Sequence, residues 1–216
     1  LLEAIRGRRS VRHYQDKLIA REHLEELLRY ATHAPSACNR RGWKFIVVED
    51  EKILHLIYAK GGAAFIPKAR QAVLVCYIRH TDNMAWKDRE QSAAAAIAYF
   101  QLLAHAEGIG SCWICHLPTQ REIARLFHMP FDYLPMALVT VGYYRTDLKT
   151  AQRKLPNERI VSVDIWDFDV PRMRKGSLVT LLLRKIVRGA YYMFPKREWL
   201  RKLTYSFEKK FDPFER

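Results

Sequence analysis

Residues 71–79, QAVLVCYIR, form an almost uninterrupted apolar run rich in β-forming side chains. A strand that alternates apolar and polar residues leaves one face to water, but a run like this is read as a strand buried on both faces. The chain around it must then supply covering layers on two sides. The flanking sequence has the right pattern. Residues 43–50, WKFIVVED, read as a strand, and 51–62, EKILHLIYAKGG, as a helix closed by Gly61 and Gly62. Residues 21–33 place Leu24, Leu27, Leu28 and Ala31 on one helical face, with Glu22, Glu25, Glu26 and Arg29 outside. Residues 2–8 predict a short helix ending near Gly7. With 216 residues, 49% of them hydrophobic, the chain can build the core such layers need.

Further along, DREQSAAAAIAYFQLLAHAEGIG predicts a long helix stopped at Gly108. Its Ala93–Ala96 run and Ala98 keep the N-terminal half thin, which allows close helix–helix approach. SCWICHL reads as a third apolar strand or strand end, and MALVTVGYY as a fourth. TQREIARLF reads as a helix capped by Thr119, with Glu122 completing a capping box. RIVSVDIW, residues 159–166, is a candidate last strand. Interleaved strands and helices imply an α/β or α+β layered domain. No run of 18 uncharged apolar residues is present, and the opening LLEAIRGRRS is amphipathic and basic rather than a secretory leader. Four cysteines are too few for a disulfide scaffold at this size. A reduced, cytoplasmic protein is the expectation.

Candidate chemistry is sparse. Glycine-rich nucleotide loops, HExxH and GxSxG are absent from the sequence. Cys112, Cys115 and His116 spell C-x-x-C-H, the pattern of a c-type haem site, a redox dithiol or half a zinc site. A zinc site would need further ligands at spacing, a haem would need export, and a dithiol would need an exposed, activated cysteine. None of these is signalled. His105 reads as a half-buried helix residue. No metal ligand and no catalytic side chain are assigned.

The cluster RGRRSVRHY packs Arg6, Arg8, Arg9, Ser10 and Arg12 into seven positions. In extended backbone Arg8, Ser10 and Arg12 point the same way. Two guanidinium forks and a hydroxyl converging on one point suit a phosphate monoester. A second basic pair, Arg153 and Lys154, could close the same anion site.

These segments follow one another in a set order: R-R-S-x-R, then A-P-S-x-x-N with Trp43 four residues after Asn39. Then come the alanine-rich helix, G-x-G-S-C-W, a V-x-V-G-Y strand and R-K-x-P. Over about residues 3–162 this order resembles the FMN-dependent nitroreductase family. The resemblance implies an α+β, three-layer fold with a mixed central sheet flanked by helices, working as an intertwined homodimer with FMN at the subunit interface. It implies hydride transfer from NADH or NADPH to the flavin and then, by a ping-pong mechanism, to a nitroaromatic, quinone or related small acceptor. Carried over, Arg8, Arg9, Ser10 and Arg12 match residues around the FMN phosphate and ribityl chain, and Arg153 with Lys154 match a late basic pair on that phosphate. Pro35, Ser36, Ala37 and Asn39 match the loop that the partner subunit lays against the flavin. Cys115 and His116 match positions whose backbone amides face the reactive edge of the ring. Two departures bear on the acceptor: Arg41-Gly42 stands where the family often has Gln-Pro, and Cys115-His116 where a glycine or acidic residue is common. A second reading is a flavin-binding partner protein without turnover.

The resemblance leaves the end of the chain uncovered, so the domain reading is 1–166 for the FMN-binding domain and 167–216 for a basic amphipathic helical extension. From residue 171 onward there are 13 Lys/Arg against 4 Asp/Glu, which is +9 of the chain's +14. Apolar Trp199, Phe207 and Phe211 stand beside Lys and Arg there. Three readings remain open: a structural wrap over the dimer, a peripheral anchor on anionic lipid at the inner membrane face, and contact with an acidic partner. Nucleic acid falls in the last and least favoured group, since no recognised module supports it.

Overall fold

The computed structural model describes residues 1–81, 83, 85–114, 116–144 and 160–168, with Leu182, Leu183, Ile186, Val187, Ala190 and Trp199. Internal contacts divide the chain into two compact units, Leu1–Leu148 and Lys149–Arg216. The division at 166/167 read from the sequence differs from this by residues 149–166, of which 149–159 lie outside the described residues.

The first unit is built on four strands: β1 (Trp43–Val48), β2 (Gln71–Ile78), β3 (Ile109–Ile114) and β4 (Tyr133–Tyr143), in the spatial order β1-β2-β4-β3. β2 is interior and its first seven residues are buried, as its unbroken apolar run requires. The three strand pairings are antiparallel, and the parallel component is an isolated bridge between Ser10 and Ser111 at the outer edge of β3. Side chains alternate across the sheet and sort into two cores. Val73, Val75, Ala137, Val139 and Val141 pack with α2 (Arg21–Ala31) and α4 (Asp88–Ala106) on one face. Ala72, Leu74, Cys76, Cys112, Ile114 and Leu138 pack with α3 (Glu51–Ala59) and α5 (Gln120–Leu126) on the other. Helices, sheet and helices thus make three layers, an α+β domain. Burial pushes the Cys76 thiol up to about 12, the behaviour of an inert core cysteine.

Local signals set most of the boundaries. Thr119 Oγ1 accepts from Glu122 N and the Glu122 carboxylate accepts from Thr119 N, which is the expected capping box. β4 begins at Tyr133, three residues before the apolar run read from the sequence. Pro135 lies opposite Cys76 at a register shift between Val75 and Cys76, where the missing N–H costs the ladder little. In the second unit the candidate strand is not formed. Residues 160–168 are irregular: Ser162 Oγ donates to Ile165 O at 2.6 Å and Asp164 is left-handed, φ 64°. Leu182, Leu183, Ile186, Val187, Ala190 and Trp199 are helical. Among the described residues no helix is long and apolar enough to cross a membrane.

Candidate functional site

The segment after α1 (Leu2–Gly7) is held by backbone first. Ser10 bridges Ser111, and Val11 N donates to Ser111 O at 3.0 Å. The close approach needs a glycine on β3: a Cβ at Gly110 would meet Val11 Cβ at 2.9 Å and Tyr144 Cδ1 at 2.8 Å. Tyr14 locks the far side. Its hydroxyl donates to Val11 O at 2.6 Å and pairs with Thr140 Oγ1 at 2.9 Å, and burial drives its pKa well above the ordinary tyrosine value. Farther on, Gln71 bonds both Ile19 N and Ile19 O, at 2.8 and 2.9 Å. Residues 10–19 are therefore a strap fastened to the sheet at both ends.

This strap puts Ser10 in solvent between the half-buried Arg8 and Arg12. Arg9 behaves differently. Its Nη1 donates to the carbonyls of Arg6 at 2.7 Å, Gly7 at 3.4 Å and Arg8 at 3.0 Å, closing the C-terminus of α1. Arg9 thus braces the turn from which the Arg8, Ser10, Arg12 side emerges.

Arg12 links this side to the end of β3. Its guanidinium lies 5.6 Å from the centre of the Phe65 ring. Phe65 follows the turn that ends α3, where Gly61 takes φ 102°, and Ala63 N in that turn donates to His116 O at 3.0 Å. The sequence-predicted residues Arg8, Ser10, Arg12 and His116 are thus tied to one edge of the sheet around β3. Gly110, Tyr14 and Phe65 make that arrangement, and nothing in their local sequence marks them for it.

Pro35, Ser36, Ala37 and Asn39 are elsewhere. Their loop is strained: Cys38, Asn39 and Arg41 have φ of 50°, 51° and 48°, the left-handed region that non-glycine residues rarely enter. Polar contacts hold it. Arg41 N donates to Ser36 Oγ at 3.1 Å, Arg41 Nε to Asn39 Oδ1 at 2.9 Å, and Ala37 N to Ser92 Oγ at 3.1 Å. The buried Trp43 indole adds a bond to Ser92 O at 2.9 Å. The thin alanine face of α4 makes room for that indole, which packs with Ala34, Tyr77 and Ala96.

Helix α4 therefore separates the two groups. Ser92, near its start, carries the 35–41 loop, while His105, near its end, lies against Gly7: a Cβ on Gly7 would stand 2.7 Å from His105 Nε2. At about 1.5 Å of rise per residue these positions are roughly 20 Å apart along the axis. Gln101, which bonds Ser111 beside Ser10, is about 14 Å along from Ser92, so the loop and this side meet α4 at different levels. Cys115, Arg153 and Lys154 lie outside the described residues.

The donor set fits a flavin mononucleotide's phosphate end. Arg8 and Arg12 stand on either side of the exposed Ser10 in the chain, on a backbone bridged to the sheet, and an aromatic ring lies beside the Arg12 guanidinium. Comparison with known proteins gives the family. The sequence profile of the nitroreductase family matches residues 5–74 and 56–143. A protein of Methanothermobacter thermautotrophicus with the provisional name NADH dehydrogenase/NAD(P)H nitroreductase is 32% identical over 149 residues, 66% of this chain and 76% of that one. One of Archaeoglobus fulgidus with the same provisional name is 32% identical over 146 residues, 66% of this chain and 84% of that one. Among solved structures, an FMN-dependent nitroreductase from Clostridium difficile superposes with a TM-score of 0.66 at 28% identity, covering 77% of this chain and 100% of that one. With its three layers, its basic strap on β3 and these matches, the chain belongs to the nitroreductase family.

Proposed function

We propose that this chain is an FMN-dependent oxidoreductase that takes hydride from NADH or NADPH and passes it to a nitroaromatic, quinone or related small acceptor, donor and acceptor using the same face in turn. The observation that carries this reading is the fastening of Arg8, Ser10 and Arg12 to β3 beside His116. Bound there, FMN supplies the hydride chemistry, so the protein need only bind, orient and exclude. Arg8, Ser10 and Arg12 hold the phosphate and ribityl end. By sequence resemblance, the backbone amides of Cys115 and His116 are assigned to the ring edge, where fixed donors stabilise negative charge without reorganising. Arg153 and Lys154 enter on sequence resemblance alone.

The site is completed by a second copy of the chain. The Ser92 anchor of the 35–41 loop stands roughly 14–20 Å along α4 from the contacts with the phosphate side of its own chain, so the loop is assigned to the partner's flavin. Helix α4 supports this assembly, because it is apolar nearly all round and leaves Ala98 and Tyr99 exposed. The outer edge of β1 also lacks a strand partner among the described residues.

The test is anaerobic titration of the purified protein. It should be yellow, and its flavin absorbance should bleach on addition of NADH or NADPH. Failure to bind FMN after reconstitution overturns the reading. Bound flavin that stays oxidised favours the second reading, a flavin-binding partner recruited by the basic extension. One observation favours keeping that alternative: Leu182, Leu183, Ile186 and Trp199 are helical and each more than half exposed. Pelleting on anionic vesicles with and without residues 171–216 tests it, and equal pelleting removes the anchor.

A further inference from the structure

The last turn of α4 carries a titratable group that the hydride chemistry does not use. His105 is half-buried, and its imidazole lies against Gly7, where a Cβ would stand 2.7 Å from Nε2. Gln101, one turn earlier on the same face, donates to Ser111 Oγ at 3.3 Å, directly under the Ser10–Ser111 bridge. Helix α4 thus meets the phosphate-binding strap with two polar side chains, Gln101 under Ser10 and His105 beside the turn that launches Arg8.

We propose that His105 is a phosphate-sensing positioning residue, which holds a proton more tightly when a phosphate monoester fills the Arg8, Ser10, Arg12 site than when the site is empty. The inference rests on the reading of that site as the FMN phosphate site. Two charged groups act on the imidazole from the strap, Arg8 and Arg9. With the site empty, burial and then these two guanidiniums hold the His105 pKa below its ordinary value. Opposing them is its own helix C-terminus, which favours a cation. A phosphate dianion on Arg8 cancels the larger of the two guanidinium contributions and adds its own attraction to that of the helix end, against the burial and the Arg9 charge that remain. Binding then takes up a proton. The linkage has a definite sign: affinity is highest below the empty-state pKa and falls as pH rises through the filled-state pKa.

The decisive measurement follows the His105 ring signal by NMR on the full chain across pH 5–8, assigned with His105→Gln. The apoprotein is compared with the protein holding FMN, riboflavin or inorganic phosphate. FMN should move the His105 titration to higher pH, and inorganic phosphate should do so in part. Riboflavin, which lacks the phosphate, should leave it in place. In parallel, the FMN Kd of the wild type relative to His105→Gln should weaken by about threefold to tenfold between pH 5.5 and 8. Taking the ratio removes the titration of the phosphate itself. FMN binding with an unmoved His105 titration overturns this inference and leaves the FMN reading standing. A shift equal with FMN and riboflavin also overturns it, since the ring and not the phosphate would be the cause. Absence of FMN binding overturns both.

Discussion

The two loops that make the proposed site are built in opposite ways. The strap from Arg8 to Ile19 follows the sheet: it bridges β3, borrows carbonyls from β4 and ends in the Gln71 clamp. Its precision comes from long-range backbone bonds, with Ser10 in ordinary extended geometry. The 35–41 loop has no strand to lean on. It holds three left-handed non-glycine residues by short-range side-chain bonds, a graft onto Ser92 and an Arg40 contact to His80 O. The strap belongs to its own chain's site, where the sheet can fix it. In the proposed dimer the loop serves a neighbour's site, and it stores much of its shape locally. Such strain persists only where the surroundings over-determine it.

The largest expected effect breaks the comparison directly. Arg8→Ala with Arg12→Ala removes two charge-assisted contacts, worth about 3–6 kcal/mol together, so FMN affinity should fall by about 100-fold or more. Ser36→Ala with Asn39→Ala should weaken FMN from the other half. Mixed and refolded together, the two doubly substituted chains should recover FMN, one per mixed dimer, because one of its two sites then has a native strap and a native loop. No recovery on mixing would show that strap and loop of one site come from one chain, or that the loop has no part in it.

Ser92→Ala comes next. It removes the acceptor for Ala37 N and the donor to Asp88 O, a 2.7 Å bond within α4. Leaving buried partners unpaired costs about 1–3 kcal/mol, measurable in urea melts. FMN retention should fall with it. Lost stability with intact retention would detach the loop from the site.

A smaller effect tests the geometry of each half. Glycine at Cys38, φ 50°, relieves left-handed strain and should be neutral to stabilising by up to about 1 kcal/mol. Glycine at Ser10, in the extended strap, should cost about 0.5–1 kcal/mol. Paired urea melts read both, and the same sign at both positions would contradict the contrast drawn between them.

Much of the layered fold could be read from the chain because its signals are local: the β2 run, the Thr119–Glu122 capping box and the glycines after α3 and α4. The Arg8, Ser10, Arg12 grouping could be proposed for the same reason, since alternation is a property of three neighbouring residues. What escaped depends on distant partners. Ser92 reads as one more small residue in an alanine-rich helix, yet it joins the 35–41 loop to Trp43. Arg9 reads like its neighbours until the carbonyls of α1 claim it. The expected strand at 159–166 has the right residues, but most of its side chains are exposed and residues 160–166 pair with no strand, and alternation alone cannot make a sheet.

The weakest effect should come from the far anchor of the strap. Arg21 pairs with Glu49, whose other oxygen accepts from Gln71 Nε2 at 3.1 Å, next to the clamp on Ile19. The Arg21 hydrogen bond is the main reason that the Glu49 carboxyl sits below its ordinary value; burial opposes it and Gln71 adds to it. A depressed carboxylate contributes stability that is complete above its unfolded-state pKa and is lost as pH falls through the folded one. Arg21 is largely exposed, so water and salt screen most of the pair. Glu49→Gln should therefore change stability little at neutral pH and flatten the acid limb of the stability curve only slightly. Gln71→Leu should do more at every pH, because the buried Ile19 N and O lose their partners and the strap loses its end. If Glu49→Gln proved the costlier of the two, the charge and not the amide clamp would be what holds the strap to the sheet.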